Sequence, residues 1–125
     1  MLKQSLWAMF AVLVSMSTAL MAASELPTKT VEQIFAEKAT LSGKYIHISG
    51  KVVKVNNGIM GKNFLHIQDG TGAEGTNDIT VTSQETANLG DMLKIEALVT
   101  TNRDFGMGYS YPVILEEAKL SPVKP

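Results

Sequence analysis

The sequence predicts a mainly β protein in which five strands form a barrel and one short helix precedes the first strand. Apolar and polar residues alternate from residue 44 almost to the end of the chain, which is the period of strands with one buried face. Glycine-rich turns separate the alternating runs. Helical spacing after the N-terminal region is confined to residues 30–38.

Residues 1–23 predict a signal peptide. Lys3 provides a positive start, an uncharged apolar run follows, and the small residues Ala22, Ala23 and Ser24 offer a cleavage site. A run of about 18 apolar residues is also long enough for a membrane anchor, but a basic stop-transfer flank is missing. We therefore expect export to the periplasm, cleavage near residue 23 and no stable membrane anchor in the mature chain.

Composition excludes several classes of function. The chain has no cysteine, which excludes disulfides, thiolate metal sites, cysteine nucleophiles and lipoprotein attachment. The chain has 11 basic and 12 acidic residues, and losing Lys3 with the signal leaves 10 and 12, a mature charge of −2. This balance argues against a nucleic acid partner, because phosphate binding depends on clustered Lys and Arg.

The predicted helix lies in an N-terminal segment, residues 24–43. Thr30 and Gln33 have the spacing of a capping box, and Val31, Ile34 and Phe35 recur at helical intervals. We expect this helix to close one end of the barrel, which forms a single domain of residues 44–125.

The five strands follow in order. They are predicted over residues 44–56, 63–69 and 78–83, after Gly90 with Leu93 to Val99 alternating, and over residues 111–120. In the first strand Ile46 and Ile48 are predicted to face inward, and after Gly50 the inward residues are Val53 and Val55. This shift of the alternation by one residue predicts a bulge at the glycine. Residues 84–89 are expected to form a polar connector with one helical turn.

A long bent first strand, five strands in all and a helical piece between the third and fourth together predict an OB-fold barrel. In that fold the loop after the first strand and the loop after the fourth lie beside one open, ligand-binding face. Those loops are residues 56–63 and 100–110 in this chain.

The segments GKYIHISGKVVKVNNGIMGKNFLHIQDGTG and TTNRDFGMGYSYPVILEEAKL resemble a group of small exported bacterial OB-fold proteins. Some members of this group occur alongside periplasmic nitrite reductase systems. The resemblance covers about residues 30–120 and implies a non-catalytic accessory role in a respiratory system. The implied partner is a periplasmic protein or a small ligand. Because fold does not carry function, the DNA-binding label often given to members has no weight here.

The two predicted loops each contain a methionine beside glycine, Met60 and Met107. Thioether sulfur prefers Cu(I), and an exported chain without cysteine has only Met and His for that chemistry. A copper site would use Met60, Met107 and His66, which the alternation places on the outward face of the second strand. Alternatively, the methionines are flexible apolar plugs that seal the loops against the barrel. No cofactor is required, and loosely held haem is a further alternative.

Aromatic residues in and beside the same loops predict a binding surface. The expected ligand or partner contacts are Phe64, His66, Phe105, Tyr109 and Tyr111. No Ser, His and acid spacing indicates a nucleophile elbow, and the carboxylate pair at residues 116 and 117 is adjacent rather than opposed across a cleft. We therefore expect no enzymatic activity. The acidic, glycine-rich residues 69–78 lack the ligand spacing of a calcium loop and are predicted as a turn.

Overall fold

The computed structural model describes residues 25–123. The predicted signal peptide lies outside these residues. The elements are α1 (Val31–Ala36), α2 (Lys38–Leu41), β1 (Tyr45–Ile59), β2 (Lys62–Gln68), β3 (Ile79–Ser83), β4 (Met92–Asp104) and β5 (Ser110–Pro122). Across residues 25–123 no helix is long and apolar enough to cross a membrane.

The five strands close into one barrel in the order β1-β2-β3-β5-β4. Neighbouring strands are antiparallel except β3 and β5, which run parallel and share one residue pair, Val81 with Leu115. The length of β1 allows this closure, because its first half pairs with β4 and its second half pairs with β2. The predicted mainly β fold with five strands is confirmed.

Alternating side chains fill the barrel, as the period of two predicted. The buried inward residues include Ile46 and Ile48 of β1, Leu65 and Ile67 of β2, and Leu93, Ile95, Ala97 and Val99 of β4. Removal of these aliphatic groups from water is the main favourable term for folding, at about 25 cal/mol per Å² of apolar surface.

The irregularity in β1 lies three residues later than predicted. Val52 is 1% exposed and continues the inward phase, whereas Val53 is 36% exposed at a register shift in the pairing with β2. The predictions of a bulge at Gly50 and of an inward Val53 are therefore wrong. At Gly50 a β-carbon would lie 2.5 Å from Cγ2 of Ile67 and 2.9 Å from the carbonyl oxygen of Gln68. This glycine allows β2 to approach β1 closely.

Helix α1 packs against the barrel core. Thr30 and Gln33 form the predicted capping box, with hydrogen bonds of 3.1 Å and 2.9 Å between each side chain and the other residue's backbone N–H. Val31 and Ile34 are fully buried in the core cluster. Because a six-residue helix is not stable by itself in water, this packing must hold α1 in place.

The turn predicted at residues 69–78 also holds α1. The Val31 N–H donates to Oδ2 of Asp69, and the Glu32 N–H donates to Oγ1 of Thr71, both at 3.0 Å. The Thr71 hydroxyl donates to Oδ1 of Asp69 at 2.6 Å. These contacts satisfy N–H groups of the first helical turn, which have no partner within a helix.

Two further predictions need correction. Residues 84–91 contain bends and a turn but no helix. The prediction of a helical turn between β3 and β4 is therefore wrong. The hairpins are also longer than predicted: β1 and β2 continue to a two-residue turn, Met60-Gly61, and β4 and β5 pair as far as Asp104 and Ser110. Strand pairing extends there without apolar side chains, because the backbone makes the hydrogen bonds of the ladder.

Candidate functional site

Four aromatic rings and one arginine meet where the β4-β5 hairpin covers β2. The Phe64 ring centre lies 5.6 Å from that of Phe105, with 69° between the planes, and 6.1 Å from that of Tyr109. The ring centres of Phe105 and Tyr111 are 6.1 Å apart. Such spacings and angles are favourable for aromatic pairs. We call these four rings and Arg103 the aromatic cluster.

The aromatic cluster is only partly open to solvent. Phe64 is 2% exposed although its neighbour Leu65 is the one that faces the barrel interior, whereas Tyr109 is 38% exposed. Phe64 therefore supports the hairpin and is not available as the partner contact that the sequence predicted. Partial burial, with a smaller contribution from Tyr109, raises the pKa of the Tyr111 phenol above its ordinary value.

Arg103 has a role in this cluster that the sequence patterns did not predict. Its Cζ atom lies 4.4 Å from the centre of the Phe105 ring, and its Nε donates to Oε2 of Glu116 at 3.1 Å. The Thr100 hydroxyl donates to Oε1 of Glu116 at 2.8 Å. A cation–π contact and a charge-assisted hydrogen bond thus hold the guanidinium between the Phe105 ring and the Glu116 carboxylate of β5. In the sequence, this contact could have been inferred from the position of Arg103, two residues before Phe105.

Both loop methionines lie at hairpin tips with left-handed backbone conformations. The φ angles are 52° at Met60 and 57° at Met107, a region that costs a residue other than glycine about 1 kcal/mol or more. Met60 is 45% exposed and Met107 is 92% exposed. The alternative that methionines seal the loops against the barrel is therefore wrong for Met107, whose side chain is almost entirely in solvent.

Three hydrogen bonds hold the tip of the second hairpin. The Phe105 N–H donates to the Tyr109 carbonyl at 2.8 Å, and the Tyr109 N–H donates to the Gly106 carbonyl at 3.0 Å. The Gly106 N–H donates to Oδ1 of Asp104 at 2.7 Å. Together with the rings of the aromatic cluster, these hydrogen bonds fix the backbone conformation that exposes Met107 to solvent.

His66 does not join the two methionines. Its Nδ1 lies 2.8 Å from Oδ1 of Asp78. Between Lys62 and His66 the strand rises about 13 Å, and Met60 lies beyond Lys62 in the turn, too far for both side chains to bind one ion. Among residues 25–123 no group of three or more His, Cys, Asp or Glu side chains could hold a metal. The predicted set of three copper ligands is thus not brought together.

A cleft of about 500 Å³ opens beside the aromatic cluster, between β3 and β5. It lies beyond the single pair that these two strands share, where the Ser83 hydroxyl donates to the Ala118 carbonyl at 2.7 Å. Lys62 from the first hairpin and Arg103 from the second both line it, together with Thr82 and Glu116. The two segments that the sequence predicted to converge therefore border one cleft.

No family model matches this chain, and no curated protein matches it. Among solved structures, the chain is similar to a "putative aspartyl-tRNA synthetase" from Leishmania major Friedlin, with a TM-score of 0.55 and 11% sequence identity. The match covers 92% of this chain and 24% of that one, so this chain spans about a quarter of its length. At this identity the likeness shows the fold alone.

Proposed function

We propose that the protein is a periplasmic, non-catalytic OB-fold module that binds a partner protein through its two hairpin tips. The strand order, the parallel pair β3 and β5, and a long β1 shared between two neighbours support the OB-fold. The 92% exposure of Met107 carries the proposal of binding. An apolar side chain held in solvent on a fixed loop contributes nothing to the packing of its own chain, whereas it can fill a pocket in a partner.

The composition of the site supports a protein as the partner. Aromatic residues, Met and Arg are enriched at protein interfaces, and the second hairpin contains Arg103, Met107 and Tyr109. Phe64 and Phe105 hold this hairpin in place before binding, which lowers the entropy cost of association. The resemblance to nitrite-reductase-associated proteins points to a respiratory partner. We do not propose nucleic acid, since the chain carries a net charge of −1.

Met107→Asp and Tyr109→Asp should each weaken partner binding tenfold or more, because a charge would replace a side chain that becomes buried in the complex. The partner can be identified first with a photo-crosslinking amino acid at position 107, in cells of the source organism. Position 74, an exposed loop site normally occupied by Glu74, is the control. Affinities of the purified pair then test the two variants.

A discrete crosslinked protein that appears with the probe at position 107 and not at position 74 supports the proposal. Crosslinking that is equal at the two positions contradicts it. The proposal also fails if the purified partner binds the Met107→Asp and Tyr109→Asp variants as tightly as it binds the unmodified protein.

We propose Cu(I) transport as a second function, favoured by one observation: the thioethers at both hairpin tips are open to solvent. Cu(I) binding should be lost in the Met60→Leu, Met107→Leu double variant. An anaerobic titration against a competing chelator measures the affinity. Met92→Leu is the matched control, because Met92 is also exposed but lies on β4 away from the tips.

The unfolding free energy of the double variant shows whether a loss of Cu(I) binding is due to the missing thioethers or to a loss of the fold. Both tip side chains are exposed, so the double variant should unfold within about 0.5 kcal/mol of the unmodified protein. Cu(I) binding that is unchanged in the double variant would place the metal elsewhere. Absence of Cu(I) binding to the unmodified protein would reject the copper function and leave the protein-binding proposal intact.

A further inference from the structure

A second exposed surface lies on the outer face of the sheet formed by β1, β4 and β5. Lys51 is opposite Met92 in the register of β1 and β4, and the Val123 N–H donates to the Met92 carbonyl at 2.9 Å. Side chains opposite one another on neighbouring strands point to the same face, so these three residues form one row. Met92 is 49% exposed and Val123 is 43% exposed.

Two more exposed apolar residues belong to segments next to this row. Val53, at the bulge in β1, lines a shallow pocket of about 490 Å³ together with Met92 and Lys51. Leu89 is 68% exposed and precedes Gly90, whose N–H donates to the backbone of β1 at 2.8 Å. We call Val53, Leu89, Met92 and Val123 the apolar patch.

Three lysines lie on the strands that carry the apolar patch. Lys51 belongs to the row, Lys94 lies two residues beyond Met92 on the same strand, and Lys54 follows the bulge. None of the three has an ion-pair partner among residues 25–123. The carboxylates beside the patch, Asp91 and Asp69, accept hydrogen bonds from backbone N–H groups at 2.9 and 3.0 Å.

We infer that the apolar patch and its three lysines bind the surface of an anionic lipid bilayer. Aliphatic side chains enter the boundary between headgroups and acyl chains, and lysines are attracted to the negative headgroups. The inference goes beyond the proposed function and does not depend on it.

A protein fits this surface less well than a bilayer does. Protein interfaces are enriched in aromatic residues, Met and Arg and depleted in Lys. The aromatic cluster has that protein-binding composition, whereas the patch has Met92 as its one residue of these enriched types and is accompanied by three lysines. The two surfaces therefore differ in the chemistry of the partner that each one suits.

Vesicle binding tests the inference with the chain of residues 24–125, which retains every residue of the core cluster. It should sediment with phosphatidylglycerol vesicles and remain free with phosphatidylcholine vesicles. Lys51→Gln with Lys94→Gln should weaken binding about 30-fold, which corresponds to roughly 2 kcal/mol for two lysines near an anionic surface. Leu89→Ser should weaken it about tenfold. The control pair Lys38→Gln with Lys44→Gln removes the same charge elsewhere and should leave binding unchanged.

Several outcomes would overturn the inference. Absence of sedimentation with phosphatidylglycerol at low ionic strength would do so, as would equal binding to phosphatidylcholine. An equal loss in the control pair would show attraction by net charge and no defined surface. Binding to polyglutamate without binding to vesicles would assign an acidic polypeptide in place of lipid. All substituted side chains are at least partly exposed, so urea unfolding should confirm that each variant keeps its fold.

Discussion

Phe64→Ala is expected to lower the free energy of unfolding by about 3–5 kcal/mol, the range for removing a buried phenylalanine. Phe64 is 2% exposed and contacts two rings of the second hairpin, Phe105 and Tyr109. Its removal would leave a cavity between β2 and the hairpin. Since the rings are the part of the hairpin that packs on β2, residues 105–109 should also lose protection against hydrogen exchange.

Urea unfolding of the chain of residues 24–125 measures the expected loss, and Phe64→Leu is the matched control. Leucine keeps most of the apolar volume, so it should cost clearly less than alanine. Tyr109→Ala, alone and combined with Phe64→Ala, should give a coupling energy of about 0.5–1.5 kcal/mol for the aromatic pair. A loss below about 1 kcal/mol for Phe64→Ala would mean that the hairpin does not pack on β2 in solution.

Alternation along the chain predicted most of the strands and their buried faces. In β2 and β4 a shift of one residue would place Lys, Glu or His side chains in the core. The pattern therefore allows one choice of inward-facing residues in each strand. Leu65, Ile67 and Ile95 followed directly from this pattern and are fully buried. The helix was also predictable, because its capping box and its apolar spacing are both local signals.

The bulge in β1 was not predictable by this reasoning. Val52 and Val53 are adjacent and equally apolar, so either can continue the inward phase after Gly50. The choice depends on the approach of β2, where Ile67 and Gln68 leave no room for a side chain at Gly50. That contact is between residues far apart in sequence, and the local pattern contains no trace of it.

The candidate site was predicted in its residue types but not in its arrangement. The alternation placed Phe64 on the outward face and so suggested an exposed contact, yet the β4-β5 hairpin covers that face. The same hairpin brings Arg103 over Phe105. His66 was assigned to the methionines because the alternation placed it on the outward face of β2 near the first loop, whereas its ring lies beside Asp78. Each difference arises from how far the hairpins extend, which the backbone pairing determines.

Ile34→Ala is expected to lower the free energy of unfolding by about 2–5 kcal/mol. Ile34 is fully buried in the core cluster, on a helix of only six residues. Such a helix depends on its packing against the barrel, because isolated short helices are marginal in water. The hydrogen bonds that the N–H groups of its first turn donate to Asp69 and Thr71 should hold only that end once the apolar contact is lost.

Hydrogen exchange and urea unfolding together test how α1 is coupled to the barrel. If α1 is part of the cooperative core, Ile34→Ala should shift one transition seen by both probes. If α1 opens by itself, residues 31–41 should exchange well before the strands, because local opening would then need less free energy than global unfolding. Ala36→Ser, at an exposed position of the same helix, is the control and should change stability by no more than about 0.5 kcal/mol. An equally small effect of Ile34→Ala would show that the helix is not needed to close the barrel, and that Asp69 and Thr71 hold a segment the core does not require.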